Sequence, residues 1–320
     1  MNTCNCSISL PHRQNPTPTK SYVRVTYHSV LTTAFLLLCA MTTLAFAAKP
    51  TATADLRSPI RLALIDDELI AVTEFAQQKV LLVDARTHSV KAEIEIDGKP
   101  LGVAWGDGEL YVGNDTLGRI EVYGTNRSGK WSLLRTGPDQ SFPGPSDIEF
   151  DASHGRLYIL SAGLKTIFVF TTDGVLVSTV NVSNPTAIAV NQMTGELFVS
   201  DYGDPNLDEP PSVKIFDIDG YYLGAISGES GPDGYEFSRP QGLAVTNSGL
   251  ILVTDSLLGQ VLVFDRATLL GVTTLGSYGT EPGELRLPLD VVVDEEGEHV
   301  HVTNNRLGRI ESFELEEDFE

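Results

Sequence analysis

Three oxygen-bearing side chains stand at alternate positions in one segment of this 320-residue chain. Asp204, Asn206 and Asp208 have the i, i+2, i+4 spacing with which calcium-binding loops present oxygens to a hard cation. The segment departs from that pattern at two places: such loops have glycine at the sixth position and a bidentate glutamate at the twelfth, where this chain has Glu209 and Ile215. A solvated acidic loop stiffened by prolines is the simpler interpretation. We therefore predict at most a weak calcium site, with the affinity of extracellular modules.

Asparagine and aspartate residues also recur directly after short apolar segments. If these segments are equivalent strands of a repeated unit, the side chains ring one face of the assembled domain, and binding faces are commonly built from such loops. The alternative is structural, because Asp and Asn stabilise tight turns by bonding nearby backbone amides. We predict that this ring and the long segment at 201–212 together form the face that contacts a partner. Its members are Asn114, Asp115, Asp201, Asp255, Asn304 and Asn305.

The elements that must position these residues are six copies of one repeat. Each copy opens with a proline before a short apolar segment and continues with a second apolar segment, a turn, and a third segment of alternating hydrophobicity. The repeat length, roughly 40 to 55 residues, is close to that of one four-stranded propeller blade. The opening residues are Pro59, Pro100, Pro145, Pro185, Pro240 and Pro288.

This repetition predicts an all-β fold. A single four-stranded sheet cannot bury both of its faces, whereas six sheets packed radially can. We predict a six-bladed β-propeller of four-stranded antiparallel blades over residues 48–320. The sixth copy ends after its third strand, so we expect the stretch around residues 51–56, the N-terminal strand of the mature chain, to supply its fourth strand and close the ring.

The fifth copy carries the residues of a known repeat. Gly231-x-x-Gly234-x-x-Phe237-x-x-Pro240-x-Gly242-Leu-Ala-Val is followed by Val-Thr-Asp and by Val-Leu-Val-Phe-Asp. This pattern resembles the NHL repeat, and the resemblance extends over about residues 56–313. It implies a six-bladed propeller and leaves function open. NHL propellers serve as protein- or RNA-binding modules, and related propellers are lyases and lactonases with metal sites in the central channel.

The resemblance to enzymes is weaker. Amidating-lyase relatives hold zinc with histidines around the channel, and gluconolactonase-type propellers carry a Glu-Gly-Pro motif on an early strand that is missing here. Histidines after the leader are too scattered for such a zinc site: two lie in turns of different copies, and two share one strand, where packing explains the second. These residues are His88, His154, His299 and His301. A calcium- or zinc-dependent hydrolase or lyase with its site at the central channel remains the alternative function.

Residues 1–47 read as a signal peptide. Three basic residues precede an apolar run at 30–39, which is shorter than the roughly 20 residues of a membrane-spanning helix. Small residues follow, and we place the cleavage after Ala47. All cysteines lie in this leader (Cys4, Cys6 and Cys39), so the mature chain has none for disulfides or thiolate zinc sites.

The net charge narrows the set of partners. The chain has 43 acidic and 22 basic residues, a net charge of −21, and loss of the leader makes it more negative. Such a surface repels nucleic acid and anionic lipid. We therefore predict a periplasmic or extracellular monomer without a cofactor, other than the weak calcium candidate. We expect it to bind a protein partner, with no nucleic acid bound and no stable membrane insertion.

Overall fold

The predicted six-bladed β-propeller is confirmed. The computed structural model describes residues 56–227, 231, 236–294 and 296–315. These form six antiparallel sheets whose strands pair in chain order. In this part of the chain five sheets have four strands, the sixth has three, and the only helical element is a 3₁₀ turn at Asn305–Leu307. No helix in the described ranges is long and apolar enough to span a bilayer.

The strands are numbered in chain order, and the first strand of each blade lies nearest the axis. Blades one to three contain β1 (Pro59–Asp66), β2 (Leu69–Glu74), β3 (Lys79–Asp84) and β4 (Val90–Glu95); β5 (Pro100–Gly106), β6 (Glu109–Asn114), β7 (Arg119–Thr125) and β8 (Trp131–Thr136); and β9 (Pro145–Asp151), β10 (Arg156–Ser161), β11 (Thr166–Thr171) and β12 (Leu176–Asn181).

Blades four to six complete the ring. They contain β13 (Pro185–Val190), β14 (Leu197–Asp201), β15 (Ser212–Phe216) and β16 (Tyr222–Ser227); β17 (Pro240–Val245), β18 (Leu250–Asp255), β19 (Gln260–Asp265) and β20 (Gly271–Leu275); and β23 (Pro288–Val293), β24 (His299–Asn304) and β25 (Arg309–Glu314). A short parallel pair, β21 (Ser277–Tyr278) and β22 (Glu284–Leu285), lies in the connection between blades five and six.

Each innermost strand begins at its repeat proline, as the sequence predicts, and is irregular near that proline. The register with the second strand shifts close to the proline in every blade, as it does between Pro59 and Leu62. A β-bulge of this kind re-aims the next side chain and leaves an amide without its ladder partner. In four blades that amide donates to a hydroxyl on the second strand, for example from Arg61 to Thr73 Oγ1 at 2.9 Å and from Asp290 to Thr303 Oγ1 at 2.8 Å.

The core is divided among the blade interfaces. One buried apolar cluster lies at each junction between neighbouring blades. The innermost strands contact one another in sequence around the axis, and β1 contacts β23, so blade one packs against blade six. Such stacking buries the faces that an isolated blade would expose.

The N-terminal strand predicted to close the ring lies mostly outside the described residues. Leu56, the first residue described, is buried in the apolar cluster between blades six and one. Its carbonyl oxygen lies against Gly308, directly before β25. The chain therefore arrives beside the free edge of blade six, and pairing of the preceding residues with β25 stays a prediction. The predicted leader, residues 1–47, also lies outside the described ranges.

Candidate functional site

The turns between second and third strands lie on one face of the disk, which we call the turn face. It is formed by residues 75–78, 115–118, 162–165, 202–211, 256–259 and 305–308. The segments that lead into the opening prolines reach the same face, because each proline pairs with the last residue of its second strand or lies beside it.

A buried polar side chain ends every second strand beneath this face. It bonds the segment that enters the innermost strand of the same blade. Asp255 shows the arrangement most fully: Oδ2 accepts from the amides of Ser238 at 2.7 Å and Arg239 at 2.8 Å, and Oδ1 accepts from Leu257 and Leu258. The equivalent residues, all fully buried, are Glu74, Asn114, Ser161, Asp201, Asp255 and Asn304.

Four of the six residues predicted for a partner face belong to this buried set. Asn114, Asp201, Asp255 and Asn304 stabilise the loops and present no surface of their own. Their side chains are therefore the structural support of the turn face and lie below its surface. The other two, Asp115 and Asn305, are partly exposed, and the side-chain amide of Asn305 donates to the Pro59 carbonyl oxygen at 2.9 Å, linking blade six to blade one.

The exposed surface of the turn face is apolar at the turn tips. One leucine in each of four consecutive blades is between 42% and 65% exposed, and these are Leu117, Leu164, Leu207 and Leu257. The sequence analysis considered only the polar residues of these turns and so did not predict the exposed leucines. A signal was present, because the Leu-Gly pair recurs in the turns Thr116-Leu-Gly and Arg306-Leu-Gly.

Cation–π pairs join neighbouring segments on the turn face. Lys99 Nζ lies 4.8 Å from the ring centroid of Phe75, and the Arg239 guanidinium lies 5.3 Å from that of Tyr202. In both pairs the aromatic residue follows a second strand and the cation precedes the proline of the next blade. Arg286 lies over Tyr278 at 5.1 Å in the connection into blade six. The turn face therefore combines exposed leucines with rings and cations held in place.

The calcium candidate lies in a hairpin on the same face. Asp204 and Glu209 bond to each other through both backbone pairs, at 3.0 Å each. Asp204 Oδ1 accepts from the amide of Asn206 at 2.9 Å and from its side chain at 3.0 Å, while Asp208 is exposed with φ of 57°. Two of the three predicted ligands thus bond each other, and calcium binding stays a prediction.

The structure brings together two histidines that the sequence placed apart. His88 Nε2 and His301 Nδ1 each lie 2.8 Å from Ser312 Oγ, and the two rings meet edge to face with centroids 6.0 Å apart. This contact joins blade one to blade six. Burial, with the neighbouring His88 and His299, lowers the pKa of His301 to about 4. Beside it opens a cavity of about 410 Å³ bordered by Asp294, Glu298 and Glu314.

The other two histidines bond carboxylates: His154 Nδ1 bonds Asp151 and His299 Nδ1 bonds Asp294. Packing, predicted for His301, fits its burial in the second strand of blade six. In the described residues no three His, Cys, Asp or Glu side chains are grouped to hold a metal ion. The metal-dependent alternative stays a prediction.

A buried cluster of charged side chains, which the sequence analysis did not predict, lies across the axis. The Arg61 guanidinium donates from Nη1 to Asp290 Oδ1 at 2.9 Å, and its Nε lies 3.5 Å from Asp147 Oδ1. It also donates to backbone carbonyl oxygens, including those of Ser146 and Thr186. One cation faces two carboxylates, and burial raises the pKa of Asp147 and of Asp290 although Arg61 acts in the opposite direction. The cluster stands at the third residue of the innermost strands.

Comparisons with known proteins agree with this architecture. The profile of the NHL repeat matches residues 237–266. No curated protein sequence matches the chain significantly. The chain is similar in structure to Kuenenia stuttgartiensis hydrazine synthase, with a TM-score of 0.58 and 14% identity over 83% of this chain and 98% of that one.

Two further structures are similar. A structural genomics protein from Bacteroides thetaiotaomicron aligns with a TM-score of 0.64 and 15% identity over 83% of this chain and 71% of that one. A chain of the nidogen/laminin complex aligns with a TM-score of 0.56 and 16% identity over 73% of this chain and 84% of that one. At these identities the likeness concerns the fold alone, and the set includes both an enzyme and a protein complex.

Proposed function

We propose that this NHL-repeat β-propeller is an exported scaffold that binds a protein partner through its turn face. The proposal rests on the exposed leucines at the turn tips of four consecutive blades, which are Leu117, Leu164, Leu207 and Leu257. Exposed apolar groups cost free energy in water, and when they recur together they mark interaction surfaces.

The support beneath the tips favours binding. Each turn is held by buried hydrogen bonds at its base, such as the four that Asp255 accepts. A loop ordered before binding loses less conformational entropy when its partner docks. The arginines and aromatic rings of the cation–π pairs are residue types enriched in protein interfaces.

A similar fold occurs in an established protein complex, since one chain of the nidogen/laminin complex is among the similar structures. The predicted leader supports export, which places the partner outside the cytoplasm. In the extracytoplasmic fraction we expect a chain that begins at Ala48, measured by N-terminal sequencing.

The binding experiment compares two sets of exposed apolar residues. The mature chain is used to capture partners by crosslinking from the extracytoplasmic fraction of its source. The turn-face variant carries serine at Leu117, Leu164, Leu207 and Leu257. The control variant carries serine at exposed positions elsewhere, namely Leu134, Val175, Met193 and Leu270.

We expect one specific partner, captured by the wild type and by the control variant and lost by the turn-face variant. Both variants should unfold at the wild-type temperature, because exposed substitutions have small effects on stability. Loss of the partner by the control variant alone, or equal capture by all three proteins, would contradict the proposal.

A further inference from the structure

The fifth residues of the innermost strands form a layer of small apolar side chains with one exception. Counting from each proline, these residues are Ala63, Ala104, Glu149, Ala189, Ala244 and Val292. Glu149 thus brings a carboxyl group into a layer of small side chains next to the axis. The Arg61 cluster lies two residues earlier along the strands, on the side of the turn face.

A cavity of about 200 Å³ occupies the axis at this layer. Its walls come from all six innermost strands, and the lining runs from the fourth residues, such as Leu62, to the sixth, such as Trp105 and Val245. It therefore lies on the side of the Arg61 cluster that leads to the turns between first and second strands. Glu149 borders it and is half-buried.

The Glu149 carboxyl group has no hydrogen-bond or ion-pair partner among the described residues. Burial raises its pKa well above the ordinary value, with further contributions from Asp147, Asp290 and Asp151, while Arg61 acts in the opposite direction. A cation beside this carboxyl group would stabilise its ionised form.

The turns between first and second strands surround the end of the channel on this side. We call this the mouth face; its turns are residues 67–68, 107–108, 152–155, 191–196, 246–249 and 294–298. These six segments contain no Lys or Arg, and four of them contain Asp or Glu. A cleft edged by charges of one sign concentrates ions of the opposite sign. The approach to the cavity therefore favours cations.

We propose that the axial cavity is a binding site for a small primary alkylammonium ion. Its ammonium group pairs with Glu149, and its alkyl chain lies against Ala104, Ala189 and the apolar residues of the neighbouring layers. The site is on the opposite side of the Arg61 cluster from the turn face, so it is independent of partner binding there. A cavity of this size is below the usual range of pockets for drug-sized ligands, which limits the ligand to a few heavy atoms.

Binding is coupled to a proton. The raised pKa of Glu149 favours its protonated form, and pairing with an ammonium ion favours the carboxylate, so we expect cation binding to release a proton to the buffer. The charges that face this group are Asp147, Asp151, Asp290 and Arg61. Release of up to one proton per bound cation is the specific signature of this arrangement.

The experiment is calorimetric titration of the mature chain with n-butylammonium near neutral pH, in two buffers of different ionisation enthalpy. The buffer dependence gives the number of protons released. We expect binding with proton release by the wild type and by Glu68→Gln, which changes an exposed carboxylate in a mouth-face turn. For Glu149→Gln we expect affinity lower by about tenfold or more, with no proton release.

Neutral and metal probes complete the test. n-Butanol has the shape of the ligand without its charge and should bind without proton release. Val292→Phe, at a half-buried position of the same layer, narrows the cavity, keeps Glu149 and should also abolish binding, which guards against misfolding of a single variant. The proposal is overturned if butylammonium binding is unchanged in Glu149→Gln, if no proton is released by the wild type, or if Ca²⁺ alone gives the Glu149-dependent signal and butylammonium does not.

Discussion

Arg61 of blade one and Asp290 of blade six form a buried ion pair across the junction where the ring closes, with Nη1 and Oδ1 2.9 Å apart. Asp290 Oδ2 also accepts from the amide of Leu62 in blade one at 2.8 Å, and Asp147 Oδ2 of blade three accepts from Ile188 in blade four at 2.8 Å. The two aspartates therefore link adjacent blades, and the guanidinium joins these links across the axis. Small residues at the same position, Gly102 and Gly242, leave room for them.

Arg61→Met is expected to lower the free energy of unfolding by about 3–5 kcal/mol, because it leaves two buried carboxylates without their cation. Urea denaturation at neutral pH measures this. The matched control is Arg306→Met, at an exposed position on the turn face, which should change stability by less than about 0.5 kcal/mol. Equal stability of the two variants would show that the axial cluster does not support the fold.

Asp255→Ala should destabilise the chain by about 1–3 kcal/mol, because it leaves amides beneath the turn face without acceptors. Asp255→Asn should fall between this variant and the wild type, since asparagine offers one acceptor oxygen in place of two. The control is Asp115→Ala. Asp115 is partly exposed and directly follows a second strand, so its replacement should change stability by less than about 0.5 kcal/mol. A similar loss at both sites in urea denaturation would argue against the supporting role.

Gly308→Ala tests the closure of the ring. Gly308 has φ of 62°, and an added Cβ would overlap with the Leu56 carbonyl oxygen. Gly108 has φ of 76° with open space around it, so Gly108→Ala bears only the backbone cost of about 1–2 kcal/mol. We expect Gly308→Ala to lose clearly more stability in thermal unfolding than Gly108→Ala. Equal losses would mean that the chain before blade one is not held against blade six.

The repeat made the blades predictable, because local patterns carry them. Each proline begins an innermost strand, and the apolar segments after it became strands. Four of the six polar residues that end the second strands were predictable, and Glu74 and Ser161 were not. Their burial was not predictable, since the same sequence pattern occurs in exposed loops and in buried supports of turns. Asp201 and Asp255 differ from exposed aspartates in the amides around them, which only the fold assembles.

The contacts between residues at the axis and at the blade junctions could not be predicted from the repeat pattern. Arg61, Asp147 and Asp290 meet only because the ring brings three distant innermost strands together. Glu149 had a usable signal, since it replaces a small apolar residue in the aligned fifth position of the strands. His88 and His301 had none, because their contact depends on which blade packs against blade one.

The histidine contact makes stability depend on pH. The pKa of His301 is about 4 in the folded chain against an ordinary value of 6.5, so the unfolded state binds more protons between these values. Stability is therefore complete above about pH 6.5 and declines as pH falls toward 4, with a loss of about 3 kcal/mol at the lower end. Burial also lowers the pKa of His88, which adds to the loss in the same direction, while Asp84 opposes it.

The variant His301→Phe tests this pH dependence. Phenylalanine already occupies the equivalent position of blade four, as Phe198. The substitution should reduce the acid sensitivity, as measured by urea denaturation at pH 7.5 and at pH 4.5. Because a neutral ring already occupies the site at pH 7.5, the difference between His301→Phe and the wild type should shrink or reverse on acidification, and a parallel decline of the two proteins would refute the assignment.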